Sequence, residues 1–391
     1  MSVPAKRAGT PLRIVLDAYV VQYPLGGVVS YALQFLAGFR DLGHDVYLLE
    51  KSPGPQSCYD PRSDTMTDDA RPALAWLRPL FQRFRVGDRW CYVDAAGDYH
   101  GMSRRQVDEV LRSTDVFLNI GTHGYWKDEV GRSTCRVLLD GEPGFRQMKM
   151  ELARTAGEDL PEYDRYFTDG LNIGTPSTRA PSAGLNWGIM PPPVRVDAIE
   201  PTPAARRGRF TTVMNWESHK PLVFRDRRYG QKAEEFERFM DLPRRTRAPL
   251  EVAVSGRRVP VERLKRYGWS LRSGNAVSAS ADGYWRYIRA SRGEFSVAKN
   301  VFVVTRCGMF SERSAMYLAH GRPVVVQDTG FSDHLPCGRG LFAVRDADEA
   351  AQALDEIEGD YACHSAAARE IAVAHFDARK VLRRFLDDLT A

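Results

Sequence analysis

Short apolar runs alternate with stretches of helical spacing along most of this chain. Leu12-Arg13-Ile14-Val15-Leu16-Asp17 reads as a buried strand, followed by a loop containing Pro24, Gly26 and Gly27. Val29, Ala32, Leu33, Leu36, Phe39 and Leu42 then recur at the spacing of one helical face. Gly43 stops that helix, and His44-Asp45-Val46-Tyr47-Leu48-Leu49 reads as a second strand. Strand–loop–helix–strand units of this kind build parallel sheets with right-handed crossovers. Further strands are predicted at Val116–Ile120 and Arg136–Leu139.

From Asn172 to Val196 the texture changes to Pro176, Pro181 and the run Pro191-Pro192-Pro193. A triple proline continues neither a helix nor a central strand, so this segment reads as a hinge. The alternation then restarts. Strands are predicted at Phe210–Met214, Leu250–Val254, Val301–Thr305, Val324–Gln327 and Leu341–Val344. Helices are predicted at Ala233–Met240, Tyr284–Ala290, Ser314–Ala319, Asp346–Ile357 and from Ser365 onward. The pattern predicts an α/β protein of two Rossmann-like domains, residues 1–195 and 196–375, with parallel sheets facing a central cleft. A last helix, 376–391, is expected to pack back toward the first domain.

Composition sharpens this picture in a few places. The 391 residues, 43% of them hydrophobic, suit two ordinary cores. No apolar run approaches the roughly 20 residues that span a bilayer, and the basic start MSVPAKRAGTPLR runs straight into a strand. A cytoplasmic location is the expectation. The six cysteines include no C-x-x-C pair, which argues against a zinc site or a disulfide framework. The net charge is only +5, but arginines concentrate between Arg206 and Arg272. That stretch admits peripheral contact with an anionic membrane, against the simpler reading of a solvated Arg-rich surface. No nucleic-acid partner is expected.

Two local patterns resemble the GT-B glycosyltransferases, with a donor domain like those of families 4 and 1. One is strand, Gly26-Gly27, helix, then Gly43-His44-Asp45-Val46. The other is Ala319-His320-Gly321-Arg322-Pro323-Val324-Val325-Val326, similar to the "A-x-G-x-P-V-V" turn of that fold family. The resemblance implies transfer of a sugar from a nucleoside-diphosphate sugar to a small-molecule or glycan acceptor in the cleft, with no cofactor and no metal. The paired glutamates of many retaining members are missing, since Gly308 and Met316 hold those positions.

Glycosyl transfer needs a stabilised leaving diphosphate and a group that takes the acceptor's proton. Ser311-Glu312-Arg313-Ser314 offers a helix N-terminus, a hydroxyl cap and a guanidinium, all suited to an anion. Gly26 and Gly27 would let the backbone approach the diphosphate, and Lys232 stands where the resemblance implies a phosphate contact. Asn215, Lys299, Gln327, Thr329 and Gly330 are candidates for the nucleotide and donor sugar. His123, Asp140 and Glu142 follow predicted strands and are the candidate proton acceptors. Asn172 and Trp187 would line the acceptor side of the cleft. Two other readings use the same scaffold: a nucleotide-sugar epimerase, and a non-catalytic nucleotide-binding or partner protein. A dinucleotide enzyme is disfavoured because the first loop lacks G-x-G-x-x-G.

Overall fold

The computed structural model describes residues 10–121, 125–132, 134–203, 208–218 and 220–390. Among these, the strands form an eight-stranded sheet, a six-stranded sheet and two small two-stranded ribbons. The first sheet runs Trp187–Ile189, Arg165–Thr168, Cys135–Asp140, Val116–Ile120, Arg13–Asp17, Asp45–Lys51, Trp90–Val93 and Tyr99–Gly101. Its neighbours pair in parallel except the final two, which form an antiparallel edge. The central strands are buried on both faces, as their short apolar cores Ile14-Val15-Leu16, Val116-Phe117-Leu118 and Val137-Leu138-Leu139 require.

The second sheet is wholly parallel and runs Ser270–Ser273, Leu250–Ser255, Phe210–Asn215, Gly293–Ser296, Val324–Gln327 and Leu341–Val344. In chain order this is the 3-2-1-4-5-6 arrangement of a doubly wound fold. Its order reverses between Phe210–Asn215 and Gly293–Ser296, and ligands of such sheets bind at that reversal, beyond the carboxyl ends of the strands.

One predicted strand is a helix. Val301–Thr305 belongs to the helix Asn300–Thr305, and the sheet takes Gly293–Ser296 instead. A short apolar run bounded by polar residues cannot separate a buried helix from a buried strand, and β-branched valines tip the reading the wrong way. The helix predicted over Ala233–Met240 is a short α-helix, Lys232–Phe236, continued by a 3₁₀ turn, Glu237–Phe239.

The chain crosses between the two sheets twice, and the crossings touch. Val194 donates its N–H to the Phe376 carbonyl at 2.7 Å, and Ala378 donates to the Val194 carbonyl at 2.8 Å. Beyond the second crossing, the helix Ala378–Thr390 buries Val381, Leu382, Phe385 and Leu389 in the core of the first sheet.

Elsewhere the halves meet along helix Gly26–Asp41. A Cβ on Gly26 would lie 2.5 Å from Tyr284 Cβ and 2.6 Å from the Ser280 carbonyl oxygen. Ser30 donates to Glu312 at 2.8 Å and accepts from the Trp285 indole at 2.9 Å. Gly26→Ala is therefore expected to lower stability by about 1–3 kcal/mol through overpacking, although alanine is by itself the better helix former by about 1 kcal/mol. Urea unfolding measures the balance, and a variant as stable as the parent would show that the junction has room.

Candidate functional site

The reversal of the second sheet opens onto a cavity of about 170 Å³ between the halves. Gly141 and Glu142 line it from one side; Lys232, Lys299, Ser311, Arg313, Ser314, Gln327 and Thr329 line it from the other. Nine positions from three separate stretches of the sequence thus meet in one place, and eight of them are predicted site residues.

Its electrostatics are uneven. Arg313 is held by Glu294 Oε1 at 2.6 Å, Ser296 Oγ at 2.7 Å and the Val213 carbonyl at 3.0 Å. Lys299 reaches across the cleft to both carboxylate oxygens of Glu142, at 2.5 and 2.7 Å. Lys232 pairs with no carboxylate among the described residues. Burial, with Arg313 and Lys299 nearby, pushes its amine well below the usual lysine range. Three cationic side chains therefore face two carboxylates, and the surplus sits on the residue least able to hold it without an anion.

Backbone donors reinforce the cations. Ser311 caps helix Glu312–Ala319 by accepting the Ser314 N–H at 3.2 Å, and this helix start, with Ser311, Arg313 and Ser314, lines the cavity. Of the five N–H donors of Arg313, two are left for a ligand. Removing Arg313 would strand the fully buried Glu294, whose Oε2 already lacks a partner. Loss of one member of such a pair costs about 3–5 kcal/mol, so Arg313 substitutions report on folding as well as on binding.

Several predicted residues do other work. Asp140 is fully buried and accepts from Arg146, Gln147, Thr168 and the Glu142 N–H. Its lone pairs are engaged in ordering the loop, and no face is left to take a substrate proton. Asn172 is fully buried; its amide donates to the Arg306 and Gly330 carbonyls and accepts from His334. It fastens the halves together rather than facing an acceptor, and Gly330 is the residue that lets it approach so closely. Trp187 packs edge-on against Tyr166 and donates to the Ser182 carbonyl, at the outer edge of the first sheet.

Gly26 and Gly27 begin a helix and pack on Tyr284, so their missing Cβ atoms serve the contact between halves. Asn215 is exposed and closes its own turn on the Glu217 N–H. Gln327 bridges Glu235 and the Ala298 N–H, and Thr329 donates to the Met309 carbonyl, each at the cavity wall. His123 lies outside the described residues.

Two carboxyl groups escaped the sequence reading. Glu294 is the one acid of the fully buried strand Gly293–Ser296, a position that demands a buried partner. Asp169 ends the strand Arg165–Thr168 beside Gly141, with Oδ1 unpartnered. Burial, then Asp140 and Glu142, raise its carboxyl well above the usual range.

The remaining electrostatic features are structural. Glu50 accepts the N–H groups of Val20, Val21 and Gln22 and so pins the first loop, although burial pushes it up to about 8. Most arginines of the basic stretch are paired on the surface, as in Arg258–Glu217, Arg263–Glu237 and Arg245–Asp241. No helix of the described residues is long and apolar enough to cross a membrane. No group of three or more His, Cys, Asp or Glu among the described residues could hold a metal ion.

Glu312, at the junction, is pushed up to about 7 by burial. A raised carboxyl contributes stability at low pH that is lost as pH rises through the folded value. Stability should fall as pH climbs from about 4.5 toward 8, and Glu312→Gln should remove the part that ends near 7, leaving the part from Glu50, which runs on to about 8. Thermal unfolding across this range checks it; an unaltered profile in Glu312→Gln would place the titration elsewhere.

No protein-family model and no curated protein matches the chain. Solved structures do. An α-glucosyltransferase in complex with UDP-glucose and DNA containing an abasic site superposes with a TM-score of 0.58 at 12% identity, over 98% of this chain and 100% of that one. AviGT4, a glycosyltransferase involved in avilamycin A biosynthesis, gives 0.56 at 14% identity, over 97% of both chains. Anabaena HepE in complex with UDP gives 0.55 at 11% identity, over 97% of this chain and 100% of that one. The chain has the GT-B fold of these glycosyltransferases from end to end.

Proposed function

We propose that this protein is a glycosyltransferase that takes its sugar from a nucleoside-diphosphate donor, with UDP as the nucleotide. The observation that carries the reading is the cluster of Lys232, Lys299 and Arg313 at the sheet reversal, where Glu142 pairs with Lys299, Glu294 with Arg313, and no carboxylate among the described residues pairs with Lys232. A diphosphate supplies the missing negative charge, and its departure from the sugar is the step such a site favours. The UDP and UDP-glucose in the similar structures support the choice of base.

In this reading the leaving diphosphate lies against the first turn of helix Glu312–Ala319, with Lys232 and the two free N–H groups of Arg313 on it. The protein's own cations take the role of a metal, and transfer proceeds without one. Lys299 is drawn from Glu142 toward the incoming phosphates. That exchange frees Glu142, which stands on the opposite wall, to accept a proton from the acceptor hydroxyl. Asp169, held protonated, offers its O–H to a second acceptor hydroxyl. The acceptor is a glycan or small molecule; because one similar structure contains DNA, an acceptor screen includes oligonucleotides beside sugars.

Lys232→Met separates binding from folding. The substitution keeps the apolar stem and removes an amine that burial disfavours, so the ligand-free protein should melt at the parent temperature or above it. UDP at a hundredfold excess over its dissociation constant stabilises a protein by about 2.7 kcal/mol, and most of that shift should vanish in the variant. Equal UDP shifts in parent and variant would remove Lys232 from the site. No shift in the parent with any nucleoside diphosphate would contradict the donor reading.

A further inference from the structure

A second and larger cavity, of about 920 Å³, lies where the hinge meets both halves. Its volume is within the range of about 300–1,000 Å³ typical of small-molecule sites. Helix Gly26–Asp41 and Arg83–Arg85 wall it from one half, residues 195–202 of the hinge form its floor, and helix Ala281–Ala290 with His320 closes it from the other.

Charge is again unbalanced. Five arginines and three acids line this cavity. Arg83 is paired with Asp282 at 2.8 Å and Arg195 with Asp41 at 2.6 Å. Arg40 donates to the Arg85 carbonyl, and no carboxylate pairs with Arg40, Arg85 or Arg289 among the described residues. Glu200 is the one remaining acid on the wall, which leaves a surplus of two positive charges.

The cavity also holds a buried polar group without a partner. His320 is 8% exposed, and its Nδ1 meets neither a donor nor an acceptor. Burial and the nearby Arg322, Arg289 and Arg369 keep the ring neutral, so it can donate one N–H to an anion without adding charge. The helix end beside it does not oppose an anion strongly, because Arg369 caps the Ala319 carbonyl. Phe84 and Trp285, ring centres 5.7 Å apart and one from each half, stand beside the charges, with the Arg83 guanidinium 5.6 Å from the Trp285 ring centre.

We infer that this hinge cavity binds a small phosphate monoester, with the dianionic phosphate held by Arg40, Arg85, Arg289 and the His320 N–H and the organic body against Trp285. A dianion matches the surplus of two, and guanidinium forks match phosphate oxygens bidentately. Helix Glu312–Ala319 links the two cavities: Ser311, Arg313 and Ser314 line the first, and Met316 with the following His320 lines the second. A ligand here therefore touches both halves and braces the helix that carries Arg313. The inference does not depend on the transfer reading, because none of its residues lines the first cavity.

Calorimetric titration with glucose 1-phosphate, run with UDP at saturation and without it, tests the site. Dissociation in the millimolar range or tighter is expected under both conditions, with glucose giving no heat. Arg289→Gln and Arg85→Gln, each at an exposed position and made separately, should each weaken glucose 1-phosphate at least tenfold while leaving any UDP binding intact. Binding that UDP abolishes would place the phosphate in the first cavity and overturn the inference. So would parent and variants that bind alike, or a parent that does not bind at all.

Discussion

Everything around the cleft is arranged to hold positive charge that the protein itself does not neutralise. Desolvation makes a buried lysine without a counter-ion costly. Lys232 nevertheless stands in the cavity wall while Glu294 is taken by Arg313 and Glu142 by Lys299. Such an arrangement is stable only because the surrounding sheet, helix cap and second half fix the partners in place. Its natural complement is an anion.

The fold delivers this arrangement by simple means. A parallel sheet that reverses its order leaves a gap beyond the strand ends, and the helix after Ser311 begins at that gap. The other half supplies Glu142 from a loop stiffened by the buried Asp140, whose partners hold the chain rather than a substrate. Asn172 and Gly330 then set the distance across the cleft, since the asparagine amide reaches backbone carbonyls that any side chain at residue 330 would block. Glu142 and Lys299 close the gap with an ion pair that an incoming anion can divide.

Much of the architecture was legible in the sequence because buried parallel strands are predominantly apolar, and Ile14-Val15-Leu16, Val46–Leu49 and Val116-Phe117-Leu118 form such cores within Arg13–Asp17, Asp45–Lys51 and Val116–Ile120. The apolar run at Val301–Thr305 misled because a run this short and apolar throughout shows no period that separates helix from strand. Ser311–Ser314 stand out because a helix start carries chemical meaning, whereas Lys232 is singled out only through the resemblance; Lys232, Ser311, Arg313 and Ser314 line the first cavity. Asp140, Asn172 and Trp187 look equally reactive as letters, yet their hydrogen bonds are consumed by distant segments that only the folded chain brings near. Glu294 shows the converse, an acid silent in its own stretch that becomes the anchor of Arg313.

Calorimetry of UDP against uridine tests the central claim most directly, because the two differ only in the group that the surplus charge is there to hold. The account predicts that UDP binds at least a hundredfold more tightly than uridine, a difference of about 2.7 kcal/mol or more, and that added salt narrows the gap. Equal affinity for the two, or binding of neither, would mean that the charge at the sheet reversal serves something other than a nucleotide diphosphate.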